Sequence, residues 1–123
     1  MTMPNLLVEI GNTALKAAWS EGITLGKTFR YQGEKMFEYV DSLVEKEKPA
    51  VMVISSTIDI SRAEEERLGR KCGTLVILDR NHTRIADEYS LPSYLSPDRI
   101  ASVIAARHLF NGKGSIVFDF GTT

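Results

Sequence analysis

Two stretches of this chain end an apolar run on an acid, a glycine and a threonine. Near the N-terminus Leu6-Leu7-Val8 leads into Glu9, Ile10, Gly11, Asn12 and Thr13, and a lysine follows at position 16. At the other end Ile116-Val117-Phe118 leads into Asp119, Phe120, Gly121, Thr122 and Thr123. A carboxylate at a strand end is a hard oxygen ligand that suits Mg2+, an ion that usually keeps several waters and binds through one or two carboxylates. Gly11 lacks a Cβ, so backbone N–H groups can approach phosphate oxygens. Asn12 and Thr13 add donors of short reach, and Lys16 could place an ammonium on a transferring phosphate. Two such strand ends suggest one ligand held from two sides. The plainer alternative for the first stretch is an ordinary hairpin, since Gly-Asn is a common turn pair, with Lys16 solvated on an exposed strand face. For Asp119 and Thr122 the plainer alternatives are a turn acid and a turn-capping hydroxyl.

A third stretch, Ser96-Pro97-Asp98-Arg99, reads as a helix start: serine caps, proline takes the first helical position and the acid sits in the first turn. Phosphoryl transfer to an alcohol needs an oxygen base that orients the hydroxyl and takes its proton, and an aspartate there could act from a rigid platform. Arg99 could hold a substrate by charge-assisted hydrogen bonds. The helix dipole favours an acid at this position whatever its function. A surface arginine and a tyrosine packed at a loop edge would equally explain Arg99 and Tyr89.

The elements that must position these residues are legible in outline. Asn5 to Ile10 reads as a strand, apolar on both faces over Leu6-Leu7-Val8 as in a buried central strand. Ala14 to Ser20 and Ile23 to Tyr31 read as two more, joined by a tight turn at Glu21-Gly22. Three strands joined this closely predict an antiparallel meander. Gly33 to Lys48 reads as a helix with Met36, Val40, Leu43 and Val44 on one face and Pro49 as its stop. Val51 to Ser55 reads as a strand. Ser61 to Glu64 reads as a capping box opening a charged surface helix that ends near residues 69–73. Thr74 to Leu78 is another buried strand. The helix opened at Ser96 runs to about Phe110 and stops at Asn111-Gly112, and Ile116 to Phe118 begins one further strand. A meander followed by helix–strand alternation fits a mixed sheet with helices on its faces. The final strand, with its acid-x-Gly-Thr ending, reads as the start of a second copy of the unit. The expected division is residues 1–112 as one domain and 113–123 as the first strand of another.

Composition bounds the function classes. At 123 residues the chain suits one compact domain with a real core. Its apolar fraction of 43% and charged fraction of 25% are those of an ordinary globular protein. A net charge of -1 gives no footprint for nucleic acid or an anionic membrane. The single cysteine, Cys72, excludes an internal disulfide and a cysteine-based zinc cluster. His82 and His108 lack a metal-ligand spacing, and all three residues read as structural or incidental. Trp19 and the aromatic residues of the first helix read as core, and Glu64-Glu65-Glu66 as a solvated helix face. No apolar run approaches the ~20 residues of a membrane span. Glu9 interrupts the only N-terminal apolar run, which argues against a signal peptide and makes the cytoplasm the default location.

Three motifs together carry a family resemblance. "EIGNTALK" (Glu9 to Lys16) is similar to the first phosphate motif, D-x-G-N-T-x-x-K, of type III pantothenate kinases, members of the actin-like ATPase and sugar-kinase superfamily. "YSLPSYLSPDR" (Tyr89 to Arg99) is similar to that family's Y-x-x-P-x-x-L-G-x-D-R, without a gap. "DFGTT" (Asp119 to Thr123) is similar to its second phosphate motif, D-x-G-T-A. Any one alone is weak, but the order and spacing of all three are fairly specific. The chain departs from the pattern at Glu9 (aspartate in the family), Ser96 (glycine) and Thr123 (alanine). Glu9 is one methylene longer, so its carboxylate would reach Mg2+ through a shifted water.

The resemblance implies a ribonuclease H-like domain and the start of a second, in a chain about half as long as family members. It implies ATP-dependent phosphorylation of pantothenate, the opening step of coenzyme A synthesis, with Mg2+ and a monovalent cation (K+ or NH4+). It implies contacts to ATP from Glu9, Ile10, Gly11, Asn12, Thr13, Ala14, Leu15, Lys16 and Thr122. Tyr89, Ser96, Pro97, Asp98 and Arg99 would bind pantothenate, Asp98 would be the proton acceptor, and Asp119 would bind the monovalent cation. It also implies a homodimer, and little activity from this stretch alone. Two other readings stay open: a non-catalytic actin-like module that binds nucleotide or scaffolds a partner, favoured by Glu9, and an acetate- or sugar-kinase relative, which leaves Tyr89 to Arg99 unexplained.

Overall fold

The structure is a computed structural model that describes residues 4–109 apart from Ile23, Thr83 and Ser93, with the side chains of Asp98, Ser102 and residues 106–109 outside the description. Five strands form one sheet: β1 (Asn5–Ile10), β2 (Ala14–Glu21), β3 (Thr24–Gln32), β4 (Val51–Ser56) and β5 (Thr74–Leu78), in the order β3-β2-β1-β4-β5. The meander β1-β2-β3 is antiparallel, as its short connections require, and β4 and β5 add to β1 in parallel. Parallel neighbours need a crossover, and α1 (Met36–Val44) and α2 (Arg62–Gly69) supply them. Two further helices follow β5: α3 (Arg84–Glu88) and α4 (Pro97–Leu109).

Alternation along the strands decides which face is core. Leu6, Val8 and Ile10 of β1, Leu15 and Ala17 of β2, and Met52 and Ile54 of β4 are buried in one cluster with Met36 and Val40 of α1 and Leu68 of α2. Trp19, Phe37 and Tyr39 pack against that cluster, as their reading as core residues expects. The intervening residues Leu7, Glu9, Lys16 and Arg30 therefore share the opposite face, and α4 packs against β4 on that side, where Ala101 lines a common cleft with them. Among the described residues no helix is long and apolar enough to cross a membrane.

Four local expectations are corrected. The helix expected over residues 33–48 spans only Met36–Val44. Gly33 has φ 149° and Lys35 has φ -100° and ψ 54°, neither of them helical, so the first turn starts late. The capping box at Ser61 is half as expected. The Ser61 hydroxyl accepts the Glu64 N–H at 3.2 Å, but the Glu64 carboxylate engages Arg67 at 2.6 Å. The run Glu64-Glu65-Glu66 is not simply solvated, because Glu65 reaches His82 at 2.9 Å. Helix α3, Arg84–Glu88, is an element that the sequence pattern does not announce. The strand expected at 116–118 lies outside the described residues.

Candidate active site

The site is built from one transverse row of residues. β1 and β2 set Glu9 opposite Lys16, β1 and β4 set Glu9 beside Ser55, and β2 and β3 set Lys16 opposite Arg30. Directly opposed residues on an antiparallel pair have Cβ atoms roughly 4.5–5.5 Å apart. Ser55, Glu9, Lys16 and Arg30 thus form a polar stripe across four strands. The stripe lies next to the C-terminal ends of the parallel strands, where open α/β sheets bind ligands. The same residues line a cleft of about 710 Å³ whose remaining wall is mostly apolar, with Leu7, Val53 and Leu78 from the sheet and Ala101 from α4. Among the described residues neither Glu9 nor Lys16 forms an ion pair, so both charges face the cleft uncommitted.

Beside the stripe lies the bend between β1 and β2. The Gly11 N–H donates to the Ala14 carbonyl at 2.8 Å and closes the turn. The Ile10 carbonyl accepts the Thr57 N–H at 3.0 Å, and the Thr13 carbonyl accepts the Gly33 N–H at 3.2 Å. Two neighbouring loops thus clamp the bend from either side. Gly11 is not in the left-handed region, and a Cβ placed on it would meet the Ala14 carbonyl oxygen at 3.4 Å. That is about ordinary van der Waals contact, so neither an unusual dihedral nor crowding within the turn demands glycine here. Asn12 and Thr13 are exposed, and among the described residues their N–H groups donate to no backbone carbonyl. They border a second groove of about 490 Å³ shared with Gln32, Gly33, Phe37 and Ile58. Ile10 and Leu15 are 1% and 0% exposed, with side chains committed to the core. Any ligand contact from them is left to the backbone. Ala14 is half-buried between them.

Tyr89 is placed by α3. Its N–H donates to the Ile85 carbonyl at 3.1 Å, the Ser90 N–H to Asp87 at 3.0 Å and the Leu91 N–H to Ala86 at 2.9 Å. This is a Schellman ending, with Tyr89 as the C-cap and Ser90 at the left-handed position that glycine usually fills. Ser90 has φ 55°, the one positive value among the described residues other than glycine. The left-handed conformation costs a non-glycine residue roughly 1–2 kcal/mol, against roughly 0.5–1 kcal/mol of extra unfolded-state entropy for glycine. Ser90→Gly should therefore raise the unfolding free energy by about 0.5–1 kcal/mol in urea denaturation; a loss of stability would contradict this geometry.

Ser96 precedes α4 and its carbonyl accepts the Ile100 N–H at 3.0 Å, with Pro97 as the first helical residue. Ser96 and Pro97 are half-buried and Arg99 is exposed. Asp98 lies in the first turn of α4, one helical turn before Ala101. Asp119 and Thr122 lie outside the described residues.

Sequence reading missed two features of this region. Arg30 becomes visible only through the strand register. The second feature is a clip after β5. The Asp79 side chain is wholly buried, and its carboxylate accepts from the N–H groups of Asn81 and His82 at 2.9 Å and of Ile60 at 3.2 Å. The His82 ring meets Asp79 through Nδ1 at 2.6 Å and Glu65 of α2 through Nε2 at 2.9 Å. Burial alone would raise the Asp79 carboxyl, but the His82 ring and the Ile60 and Asn81 amides outweigh it and hold it below its ordinary 3.8. Asp79, then Glu65, hold the His82 imidazolium above its ordinary 6.5. His82 is structural here, as its sequence reading expects. It ties the chain that leads to α3 and Tyr89 onto the core. Among the described residues no group of three or more His, Cys, Asp or Glu side chains is arranged to hold a metal alone.

Comparison with known proteins agrees with the motifs. Among curated proteins, "Type III pantothenate kinase" from Cytophaga hutchinsonii is 31% identical over 120 residues, covering 96% of this chain and 48% of that protein. Its namesake from Christiangramia forsetii is 30% identical, with coverage of 96% and 49%. One from Bacteroides fragilis (strain YCH46) is 28% identical, with the same coverages. The chain spans about half the length of the curated relatives it matches. Among solved structures, Archaeoglobus fulgidus Pelota aligns with a TM-score of 0.47 at 11% identity, over 89% of this chain and 37% of that one, too slight a likeness to bear on the fold. The sequence model of type III pantothenate kinases matches residues 5–123, nearly the whole chain. On that match, and with the Glu9–Lys16 bend and stripe laid out as above, the chain belongs to the type III pantothenate kinase family.

Proposed function

We propose that the full-length protein transfers the γ-phosphate of ATP to the primary hydroxyl of pantothenate, giving 4'-phosphopantothenate, the first step of coenzyme A synthesis. The observation that carries this reading is the family match over residues 5–123. The local geometry supports it. Asn12 and Thr13 offer backbone N–H groups without carbonyl partners among the described residues, and Lys16, three residues past Thr13, presents a cation to the neighbouring cleft. In this reading Asp98 takes the hydroxyl proton as the oxygen attacks, and Tyr89, Ser96, Pro97 and Arg99 hold pantothenate. The second bend, with Thr122, holds the nucleotide from the far side, and Asp119 binds K+ or NH4+.

The residues fit Mg2+. Glu9 is an exposed carboxylate on the cleft, uncommitted among the described residues, and Mg2+ characteristically takes one or two carboxylates with phosphate oxygens and water. When bound it would neutralise charge on the transferring phosphate. The strand order β3-β2-β1-β4-β5, with an antiparallel meander and two parallel strands, supports a ribonuclease H-like domain over residues 1–112; the reading adds the first strand of a second over 113–123, on the acid-x-Gly-Thr ending of the sequence alone. The reading includes a homodimer working in the cytoplasm, whose cleft needs the second half of the protein.

The test is product formation. Full-length protein with ATP, Mg2+ and pantothenate should release ADP one-for-one with phosphopantothenate identified by mass, and the 123-residue chain alone should turn over little. ADP release indifferent to pantothenate would overturn the substrate assignment. Turnover by the 123-residue chain near that of the full-length protein would overturn the need for the second half.

A further inference from the structure

We propose that Arg30 is a second phosphate-binding cation, which with Lys16 grips the polyphosphate tail of the nucleotide. The inference rests on the kinase reading above. Lys16 and Arg30 are directly opposed on β2 and β3, project from the same face and line the same cleft as Glu9. Like charges so placed destabilise a sheet. Glu9 stands on the other side of Lys16 and can offset only one of the two positive charges. Several other basic residues of the fold have protein partners: Arg67 holds Asp41 and Glu64, Lys71 holds Asp41, and Lys27 sits 5.2 Å from the centre of the Phe29 ring; Lys35, Lys46, Lys48, Arg70 and Arg99 form no ion pair with a described residue, but none of them lines this cleft. Arg30 is exposed and forms no ion pair with any described residue.

Two neighbouring cations in a cleft, at most one of them offset by Glu9, fit an anion carrying more than one charge. A guanidinium suits it best, because its planar fork matches phosphate oxygens two at a time. The alternating pattern of the stripe also divides the work. Glu9 is the metal-side group, Lys16 lies between, and Arg30 takes the phosphate oxygens farthest from β1. A strand residue with no ligand to hold would gain nothing from this placement, since a neutral side chain there would relieve the repulsion with Lys16.

The experiment is calorimetric binding of ATP-Mg2+ and, separately, of pantothenate to the full-length protein and its Arg30→Ala and Arg30→Lys variants, with Tm recorded for each. Arg30→Ala should weaken ATP binding about 10- to 100-fold, the range of a lost charge-assisted contact. Arg30→Lys, which keeps the charge but not the fork, should fall between it and the wild type. Pantothenate affinity should hold, and Tm should stay level or rise as the repulsion is relieved. ATP affinity within twofold of the wild type in Arg30→Ala would overturn the proposal, as would a loss confined to pantothenate. Should Arg30→Ala fold poorly, an Arg30→Lys protein of wild-type Tm and wild-type ATP affinity overturns the bidentate role. A wild type that binds ATP but makes no phosphopantothenate sinks the kinase reading and leaves Arg30 to be judged by the ATP titration. A wild type without measurable ATP affinity overturns both.

Discussion

Asp98→Asn in the full-length protein should lower kcat for pantothenate phosphorylation about 100- to 10,000-fold, the range of a lost general base, while the dissociation constant for ATP stays within a few-fold. Asparagine has the shape of aspartate but cannot accept the hydroxyl proton. The change leaves Glu9, the bend at Gly11–Thr13 and Lys16 untouched. The backbone position is also rigid, since α4 opens on Pro97 and its first turn is closed by the bond from the Ile100 N–H to the Ser96 carbonyl. An acid at a helix N-terminus contributes roughly 0.3–1 kcal/mol through the dipole, so a small loss of stability is expected beside the large loss of rate. The two roles separate cleanly in kinetics. A protein whose turnover is indifferent to Asp98→Asn, with only the stability term visible, would be one in which Asp98 serves the helix alone. Such a result would move the assignment towards a nucleotide-binding module without phosphoryl transfer.

Asp79→Ala should cost about 3–5 kcal/mol of folding stability, the range for removing one partner of a buried pair. The substitution strands the Ile60 and Asn81 amides, leaves the His82 N–H with the Asp79 backbone carbonyl alone and the His82 ring with Glu65 alone, and opens a space that held a wholly buried carboxylate. The clip also has a pH signature. His82 is raised above 6.5, so its contribution is complete below that pH and disappears as pH climbs through the folded-state value. Asp79 is lowered below 3.8, so its contribution is complete above that pH and disappears as pH falls through the folded-state value. The clip is therefore tightest between these ordinary values. Wild-type stability in urea should decline from about pH 6.5 upwards, and Asp79→Ala should flatten that decline, because His82 loses its principal partner. A loss under about 1 kcal/mol, in the range of exposed ion pairs, would contradict the buried geometry.

What the sequence made legible was local. Strands β1 to β5 each carry an apolar pattern bounded by turn residues, and α4 announces itself through Ser96-Pro97-Asp98, so their positions could be read directly. Helix α3 is five residues long, less than two turns, and a stretch that short has no periodicity to detect. The sequence pattern overstates the length of α1, because Met36 to Val44 shows a helical face but Gly33 and Lys35 adopt non-helical dihedrals that composition does not reveal. Within the site, Glu9 to Lys16 was visible as a contiguous motif. Arg30 was not, because its importance comes from lying across from Lys16, a relation fixed only by the β2–β3 register. His82 escaped for the same reason: Glu65 and Asp79 come to it from another helix and from the end of β5.

The most direct measurement is a crystal structure of the full-length protein with a non-hydrolysable ATP analogue and Mg2+. Its phosphates should lie between the Asn12-Thr13 amides and the Gly121-Thr122 bend, within reach of Lys16. If those two bends turn away from each other and the analogue sits elsewhere, the two-sided phosphate site is wrong, and the roles given to Glu9, Lys16 and Thr122 fall with it.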